Sequence, residues 1–482
     1  MTTPPLASAT DALRPLLDTV LDALREGTQA RGGPMPGGGP EAVAGRLRAA
    51  VGDVLPEEGD PEALRHVVRA LTEGSADPAD PLCAAHLHCP PLAVAAAADL
   101  AASVLNPSLD SWDQAPAASA LEQLVTRKLA DWIYDPHSCG QSCRWGGTGG
   151  RSGTPPARAS ETPPTPATPD CLVTTGGTES NQLALLLARE TLGPAVRLIC
   201  GANAHHSLPR AAWLLGLPDP VTIPAPAGTL DPAALDAALT ELPGPHLVAA
   251  TAGTTDAGLI DPLPEIAAVC ETHGARLHID AAYGGGLLFS DRHRPKLTGL
   301  SAAGTVTLDL HKLGWQPVAA GLLAVKTPQD LDALQHHADY LNADDDTEAG
   351  LPDLLGRSLR TSRRPDVLKI AVTLKTLGRT GLGALVDQVC DRASEFADLL
   401  DEHPRFELHD RPTISTVLFR PAHATDDDIA TTRRHLLTTG RAVLGRARMD
   451  GRLWLKATLL NPHTRPDDLA ALLKLVEGTT PR

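Results

Sequence analysis

From residue 171 to residue 325 the sequence alternates short β-rich runs with helical stretches, and no other feature narrows the fold as far. The runs are 171–174, 247–251, 276–280, 305–309 and 321–325, with helical spacing between them, as over 181–190. This alternation predicts an α/β architecture, a large mainly parallel sheet covered by helices. Ligands of such sheets sit beyond the carboxyl ends of the strands. The residues that follow each run are therefore the first place to look for chemistry.

The flanks read differently. Leu13, Leu16, Leu17, Val20, Leu21 and Leu24 lie on one helical face, Gly and Pro over 32–40 interrupt it, and Leu64, Val67, Val68 and Leu71 begin a second apolar face. Residues 1–135 are expected to be a helical N-terminal segment, 136–383 the large sheet domain, and 384–482 a small C-terminal α+β domain with strands near 416–419 and 453–460. Within the large domain, 146–169 holds five Gly, six Pro and no aliphatic side chain larger than Ala. So little apolar surface cannot order a segment, and a flexible insertion is expected there.

Composition closes off several functions. The 58 acidic and 42 basic side chains leave a net charge of −16, which disfavours nucleic acid or an anionic membrane surface as a partner. Six Trp, four Phe and three Tyr supply few platforms for stacking bases and leave the core to Leu, Val, Ile and Ala. No run approaches the roughly 18 apolar residues of a membrane span, and the N-terminus lacks a signal-peptide pattern. The eight cysteines are scattered, as thiols of a reducing compartment are, so a cytoplasmic protein is expected. No metal site is expected either. His86 and His88 share a strand face but have no third ligand nearby. Asp344, Asp345 and Asp346 lack the Gly and Glu of a calcium loop and read as a solvated acidic loop, while Cys139 and Cys143 in CGQSC read as incidental thiols.

Three strand ends carry functional groups. In CLVTTGGTESNQ (171–182) a strand runs into Gly176, Gly177, Thr178 and Ser180, where a helix opens. Backbone N–H groups at such a helix start suit a phosphate, and the Thr178 and Ser180 hydroxyls add donors. In LHIDAAYGGG (277–286) Asp280 ends an apolar strand, and in TVTLDLHKLGW (305–315) another strand ends in Asp309, His311 and Lys312. A lysine ammonium there is costly to bury unless it is paired or used chemically. A lysine that bonds a carbonyl carbon, an acid that keeps a pyridine nitrogen protonated, and a phosphate cup are together the requirements of pyridoxal 5′-phosphate.

TTGGTESN, AHHS, ATAGTTDAGLIDPL, HIDAAYGGG and DLHKLGWQP, in this order, resemble the group II pyridoxal-phosphate amino-acid decarboxylases of the aspartate-aminotransferase (type I) fold. The likeness runs from Pro81 to the C-terminus apart from 146–169. AHLHCPP (85–91), SLDSWDQAPA (108–117), ADYLNADDD (338–346) and SLRTSRRPD (358–366) are most similar to the L-2,4-diaminobutyrate and lysine decarboxylases. The resemblance implies a homodimeric lyase that converts an L-amino acid, a diamino acid such as 2,4-diaminobutyrate, ornithine or lysine, to its amine and CO2. Lys312 matches the lysine that carries the cofactor, Asp280 the partner of the pyridine nitrogen, and His205 the histidine stacked on the ring. Thr254 matches a threonine near the ring oxygen. Gly177, Thr178, Ser180 and one of His206 or Ser207 would face the phosphate, Ala282 would lie under the ring, and Asp309 and His311 would flank the lysine. His86, His88, Trp112 and Arg363 would border the substrate.

One departure from the family matters. Its aromatic-amino-acid decarboxylases return a proton to the substrate carbon from a loop tyrosine after the lysine, and 342–360 contains none; the tyrosines are Tyr134, Tyr283 and Tyr340. An oxidative, aldehyde-forming decarboxylase-deaminase therefore stands as an alternative; an aromatic-amino-acid decarboxylase is a separate one, and a type I fold aminotransferase or lyase is disfavoured by the AHHS and HLHCPP segments. A non-catalytic cofactor-binding protein is a further one, opposed by the intact Lys312 and Asp280.

Overall fold

The β-rich runs assemble as the alternation predicts in the computed structural model, which describes residues 5–135, 168–336, 338, 341 and 343–481. Seven strands, β1 (Asp170–Thr174), β2 (Arg197–Gly201), β3 (Val221–Ile223), β4 (His246–Thr251), β5 (Arg276–Ala281), β6 (Thr305–Asp309) and β7 (Gly321–Val325), form one sheet of order β1-β7-β6-β5-β4-β2-β3. Strands β2 to β6 are parallel, and β7 runs antiparallel to both β6 and β1. Every residue of β4, β6 and β7 is buried. Burial on both faces is why β4 and β7 read as nearly continuous apolar runs, while β6 also carries Thr305, Thr307 and Asp309.

Register brings the strand ends to a common edge. Thr251 pairs with Asp280 and Asp280 with Thr307, while Asp309 and Thr174 both pair with Gly321. The groups that end β4, β5, β6 and β1 thus stand side by side although they are far apart in sequence.

The N-terminal segment contributes α1 (Thr10–Arg31), α2 (Gly39–Val51), α3 (Ala63–Glu73), α4 (Ala93–Leu105) and α5 (Pro116–Tyr134). The leucine face of α1 is only partly used: Leu16, Leu21 and Leu24 remain exposed, as do Leu64, Val67 and Leu71 of α3. The sheet is covered by α6 (Gly177–Leu192), α7 (Ser207–Leu214), α8 (Pro232–Glu241) and α9 (Leu263–His273), and a short α10 (Asp344–Glu348) precedes α11 (Val367–Asp401). Residue 384, the expected start of the last unit, lies inside α11, whose one non-helical residue is Gly378 (φ 63°, ψ −178°).

Beyond α11, β8 (Phe406–Leu408), β9 (Thr416–Pro421), β10 (Gly445–Met449) and β11 (Arg452–Thr458) form an antiparallel sheet of order β10-β11-β9-β8, backed by α12 (Asp426–Thr438) and α13 (Pro466–Thr479). Its core gathers aromatic side chains, with Phe396 edge-on to Phe419 at 5.3 Å. Of the expected insertion 146–169, all but Thr168 and Pro169 lies outside the described residues, as do Cys139 and Cys143. Among the described residues no helix is long and apolar enough to cross a membrane.

Charge pairs fasten the segment before α11. Arg363 makes a two-pronged bond to Glu122 of α5, Nη1 to Oε2 at 2.9 Å and Nη2 to Oε1 at 3.0 Å, with both side chains buried. Buried Lys369 pairs with Asp366 at 3.1 Å and with Asp99 of α4 at 3.2 Å. Removing one partner of a buried pair strands the other charge, at a cost of about 3–5 kcal/mol. Glu122→Leu is therefore expected to lower the unfolding free energy by that amount in a denaturant titration. Adding Arg363→Met should restore most of the loss.

Candidate active site

The turn from β1 into α6 depends on glycine. Gly176 has φ 151°, a conformation other residues adopt only under strain, and a Cβ there would stand 3.0 Å from His311 Cε1. At Gly177 a Cβ would lie 3.0 Å from that of Ala282 and 3.1 Å from Asp309 Oδ2. No side chain caps α6, so the N–H groups of its first turn have no intrahelical acceptor. Thr175, Gly176, Gly177 and Thr178 form one wall of a cavity of about 310 Å³. The Thr175 and Gly176 N–H groups are taken by Glu179 Oε2 and Thr174 Oγ1, and those of Gly177 and Thr178, at the positive end of the helix, make the wall an anion site. Ser180 is not part of it. The helical turn carries its side chain inward, where Oγ lies 2.7 Å from Thr174 Oγ1 and donates to the Leu322 carbonyl at 3.1 Å.

Across the cavity stands Asp280, which is 4% exposed. Its Oδ1 accepts from the Ala282 N–H at 3.0 Å and its Oδ2 from Asn181 Nδ2 at 2.8 Å. Ala282 and His205 line the same space. His205 Nδ1 lies 2.8 Å from Ser207 Oγ. Burial lowers the pKa of His205, with the Asp280 charge pulling the other way. His278, on β5 behind Asp280, is fully buried, and burial pushes its pKa down to about 4.

The third wall carries Lys312, its Nζ 3.0 Å from Asp309 Oδ2. His311 Nε2 lies 3.6 Å from the same oxygen, and burial lowers the pKa of this imidazole. Asp309 Oδ1 and Thr251 Oγ1 are buried with no hydrogen-bond partner, and both residues line the cavity. Such orphaned groups suit a polar ligand.

Not every expected residue reaches this space. The Thr254 hydroxyl accepts from the Leu259 N–H at 3.0 Å and so closes a turn. Its neighbour Thr255 lines the cavity instead, because successive residues of a tight turn point to opposite sides. His86 and His88 are exposed while Leu87 between them faces the cavity. Trp112 borders a separate depression with Asp170 and Arg357, and Arg363 is committed to Glu122. Lys456 was not singled out by any motif, yet its Nζ donates to the Thr255 carbonyl at 2.9 Å from β11, and burial lowers its pKa. A lone charge inside the apolar run LWLKATLL was the available signal. Among the described residues no group of three or more His, Cys, Asp or Glu is placed to hold a metal ion.

A lysine, a carboxylate and an uncapped helix start around one cavity, with orphaned oxygens between them, fit pyridoxal 5′-phosphate on a type I scaffold. Residues 46–422 match the pyridoxal-dependent decarboxylase conserved domain, and the chain belongs to that family of pyridoxal 5′-phosphate-dependent amino-acid decarboxylases. It is similar to the L-2,4-diaminobutyrate decarboxylase of Rhizobium meliloti (strain 1021), 37% identical over 89% of this chain and 84% of that one. The L-2,4-diaminobutyrate decarboxylase of Acinetobacter baumannii is 30% identical over 86% and 83%. Among solved structures, it resembles the glutamate decarboxylase domain of the diaminobutyrate-pyruvate transaminase and L-2,4-diaminobutyrate decarboxylase from Vibrio parahaemolyticus. That match has a TM-score of 0.78 and 28% identity, and covers 99% of this chain and 97% of the other. Oryza sativa TDC with PLP and tryptamine shares the fold, with a TM-score of 0.84 at 22% identity over 99% of each chain.

Gly177→Val fills the space between Ala282 and Asp309 and is expected to weaken cofactor binding about tenfold or more. Ser180→Ala should lower the melting temperature while leaving that affinity near the parent's. An absorbance titration with pyridoxal 5′-phosphate reads the affinity in both. His278 supplies a pH test. Between its native pKa near 4 and its unfolded value of about 6.5, the unfolded chain binds a proton that the native protein refuses. Stability is then fully present above about pH 6.5 and falls toward pH 4, by on the order of 3 kcal/mol. Unfolding titrations across this window should show a shallower pH dependence for His278→Gln.

Proposed function

We propose that the protein removes the α-carboxylate of a small L-diamino acid, giving CO2 and a diamine, and that it works as a cytoplasmic homodimer. The observation that carries this reading is the convergence of Lys312, Asp280 and the start of α6 on one cavity. When bound, pyridoxal 5′-phosphate supplies an electron sink for the pair left behind as CO2 departs. The N–H groups of Gly177 and Thr178 hold the phosphate, and Lys312 holds the cofactor's carbonyl carbon. The carboxylate of Asp280 keeps a proton on the ring nitrogen, which is electrostatic stabilisation aimed where charge develops. His205, which lines the same cavity, would contact the bound cofactor, and Asp309 keeps the Lys312 amine in place.

Lys456 stands behind the cavity residue Thr255, bonded to its carbonyl, and the charge of Asp256 acts on it. The likeness to the two L-2,4-diaminobutyrate decarboxylases favours a diamino acid as substrate. Among the described residues no Trp or Phe lines the cavity, and the rings that do belong to Tyr283, His205 and His311. The exposed leucines of α1 and α3 support a dimer. The free thiols of Cys83, Cys89, Cys171, Cys200, Cys270 and Cys390 support a reducing compartment.

The source of the proton returned to the substrate carbon favours a second outcome at the same site. Tyr283 lines the cavity, but its hydroxyl is bound to Ser415 and Thr416, and burial pushes its pKa up to about 12. With no tyrosine in 342–360, slow proton return to the substrate carbon would favour reaction with O2, which would take up the electron pair as peroxide and leave an aldehyde and ammonia as by-products. A panel of diamino, acidic and aromatic amino acids, assayed together for CO2, amine, aldehyde and peroxide, tests both readings. A diamino acid is expected to give the highest kcat/KM, with a minor aldehyde fraction. Tryptophan or tyrosine ahead of every diamino acid would refute the substrate class. Lys312→Ala should abolish borohydride-fixed cofactor and turnover, and Asp280→Ala should lower kcat about 100-fold or more.

A further inference from the structure

The last residue of TTGGTESN, Asn181, does more than donate to Asp280: it is fully buried and uses all four of its hydrogen-bonding positions. A carboxylate oxygen can only accept, so the atom of Asn181 that lies 2.8 Å from Asp280 Oδ2 is Nδ2. The second hydrogen of Nδ2 goes to Ser207 Oγ at 2.9 Å. Asn181 Oδ1 therefore receives two bonds, from Thr307 Oγ1 at 2.9 Å and from His278 Nε2 at 3.0 Å.

From this hub the direction of every neighbouring bond follows. His278 carries its proton on Nε2, and its Nδ1 accepts from Thr305 Oγ1 at 2.9 Å. Ser207 Oγ accepts from Asn181, and the direction of its 2.8 Å contact with His205 Nδ1 is fixed by the next bond, which makes that nitrogen an acceptor, so the hydroxyl hydrogen goes to it. The Ser207 N–H points at the same nitrogen, at 3.3 Å. His205 Nδ1 is thus an acceptor of both, and its proton is left on Nε2.

We propose that Asn181 is a positioning residue that sets the direction of one hydrogen-bond chain running from Thr305 to Asp280 and His205. Both groups then meet the cavity with one protonation pattern, Asp280 as an acceptor and His205 with its proton on Nε2. The proposal rests on reading the cavity as the cofactor site. It makes one side chain responsible for both the acid at the ring nitrogen and the imidazole over the ring.

The test is made on cofactor-free protein, so that it can fail without the cofactor reading failing, which reductive attachment at Lys312 decides separately. NMR of protein labelled with ¹⁵N-histidine, assigned with His205→Gln and His278→Gln, reads the tautomers directly. Nε2–H is expected for both histidines; an Nδ1–H tautomer at His205 in the parent would overturn the proposal. Asn181→Asp keeps the size but removes the donor. Ser207 then donates to the new carboxylate, and His205 protonates Nδ1 to bond Ser207 Oγ. The groups that face His205 are Asp280, His206, Lys312 and Asp309; the added negative charge should raise its pKa by about one unit or more. Affinity for pyridoxal 5′-phosphate should fall about tenfold or more as Asp280 loses its donor. An unchanged His205 tautomer and pKa in a folded Asn181→Asp protein would count equally against the proposal. Should that variant not fold, the parent's tautomer alone decides.

Discussion

Asp280 is a charge held almost out of water, and the arrangement around it follows from how that cost is met. Burying a carboxylate costs several kcal/mol unless donors replace the lost water. Here the donors are the Ala282 N–H and Asn181 Nδ2. Asn181 can reach Asp280 only if α6 begins at Gly177, one turn earlier, and that start is also what turns free N–H groups toward the cavity. The anion site and the acid are therefore coupled through a single helix turn. Gly176 completes the coupling, since its backbone conformation lets β1 enter that helix at the required angle.

The small sheet is held to this centre by directional bonds as well as apolar contact. Tyr283 reaches Ser415 and Thr416, Lys456 reaches the Thr255 carbonyl, and Trp315 Nε1 donates to the Leu460 carbonyl at 2.8 Å. Each joins a loop at the cavity to a strand or strand end beyond α11. Trp315 itself sits at φ 51°, a conformation that costs free energy for a bulky residue and is held by this bond and by its carbonyl, which accepts from the Leu92 N–H.

What was legible in the sequence is what local pattern decides. Gly177, Asp280 and Lys312 follow apolar runs directly, so their position at the sheet edge could be read from the runs. Side-chain direction within a turn could not: Thr254 and Thr255 are chemically alike, and only the hydrogen bond from Leu259 separates them. Ser180 was lost to helical rotation, which carries it away from the anion site within three residues of Gly177. The bond of Arg363 to Glu122 could not be foreseen, because the two residues lie 241 positions apart in sequence. Strand β3 escaped because it is three residues long, and β2, though as long as β1, because Arg197 and Gly201 leave it only Leu198, Ile199 and Cys200 as an apolar run.

The antiparallel strand β7 has a consequence in time. Among the described residues strand β1, which launches the anion site, is paired within its sheet to β7 alone, and Thr174 meets Gly321 only after the segment containing both Asp280 and Lys312 has been made. Long-range pairings of this kind close late, and domains emerge from the ribosome from their N-terminal end. A nascent chain therefore exposes its glycine turn well before it owns either the acid or the lysine, and cofactor capture is an event that follows synthesis of the large sheet.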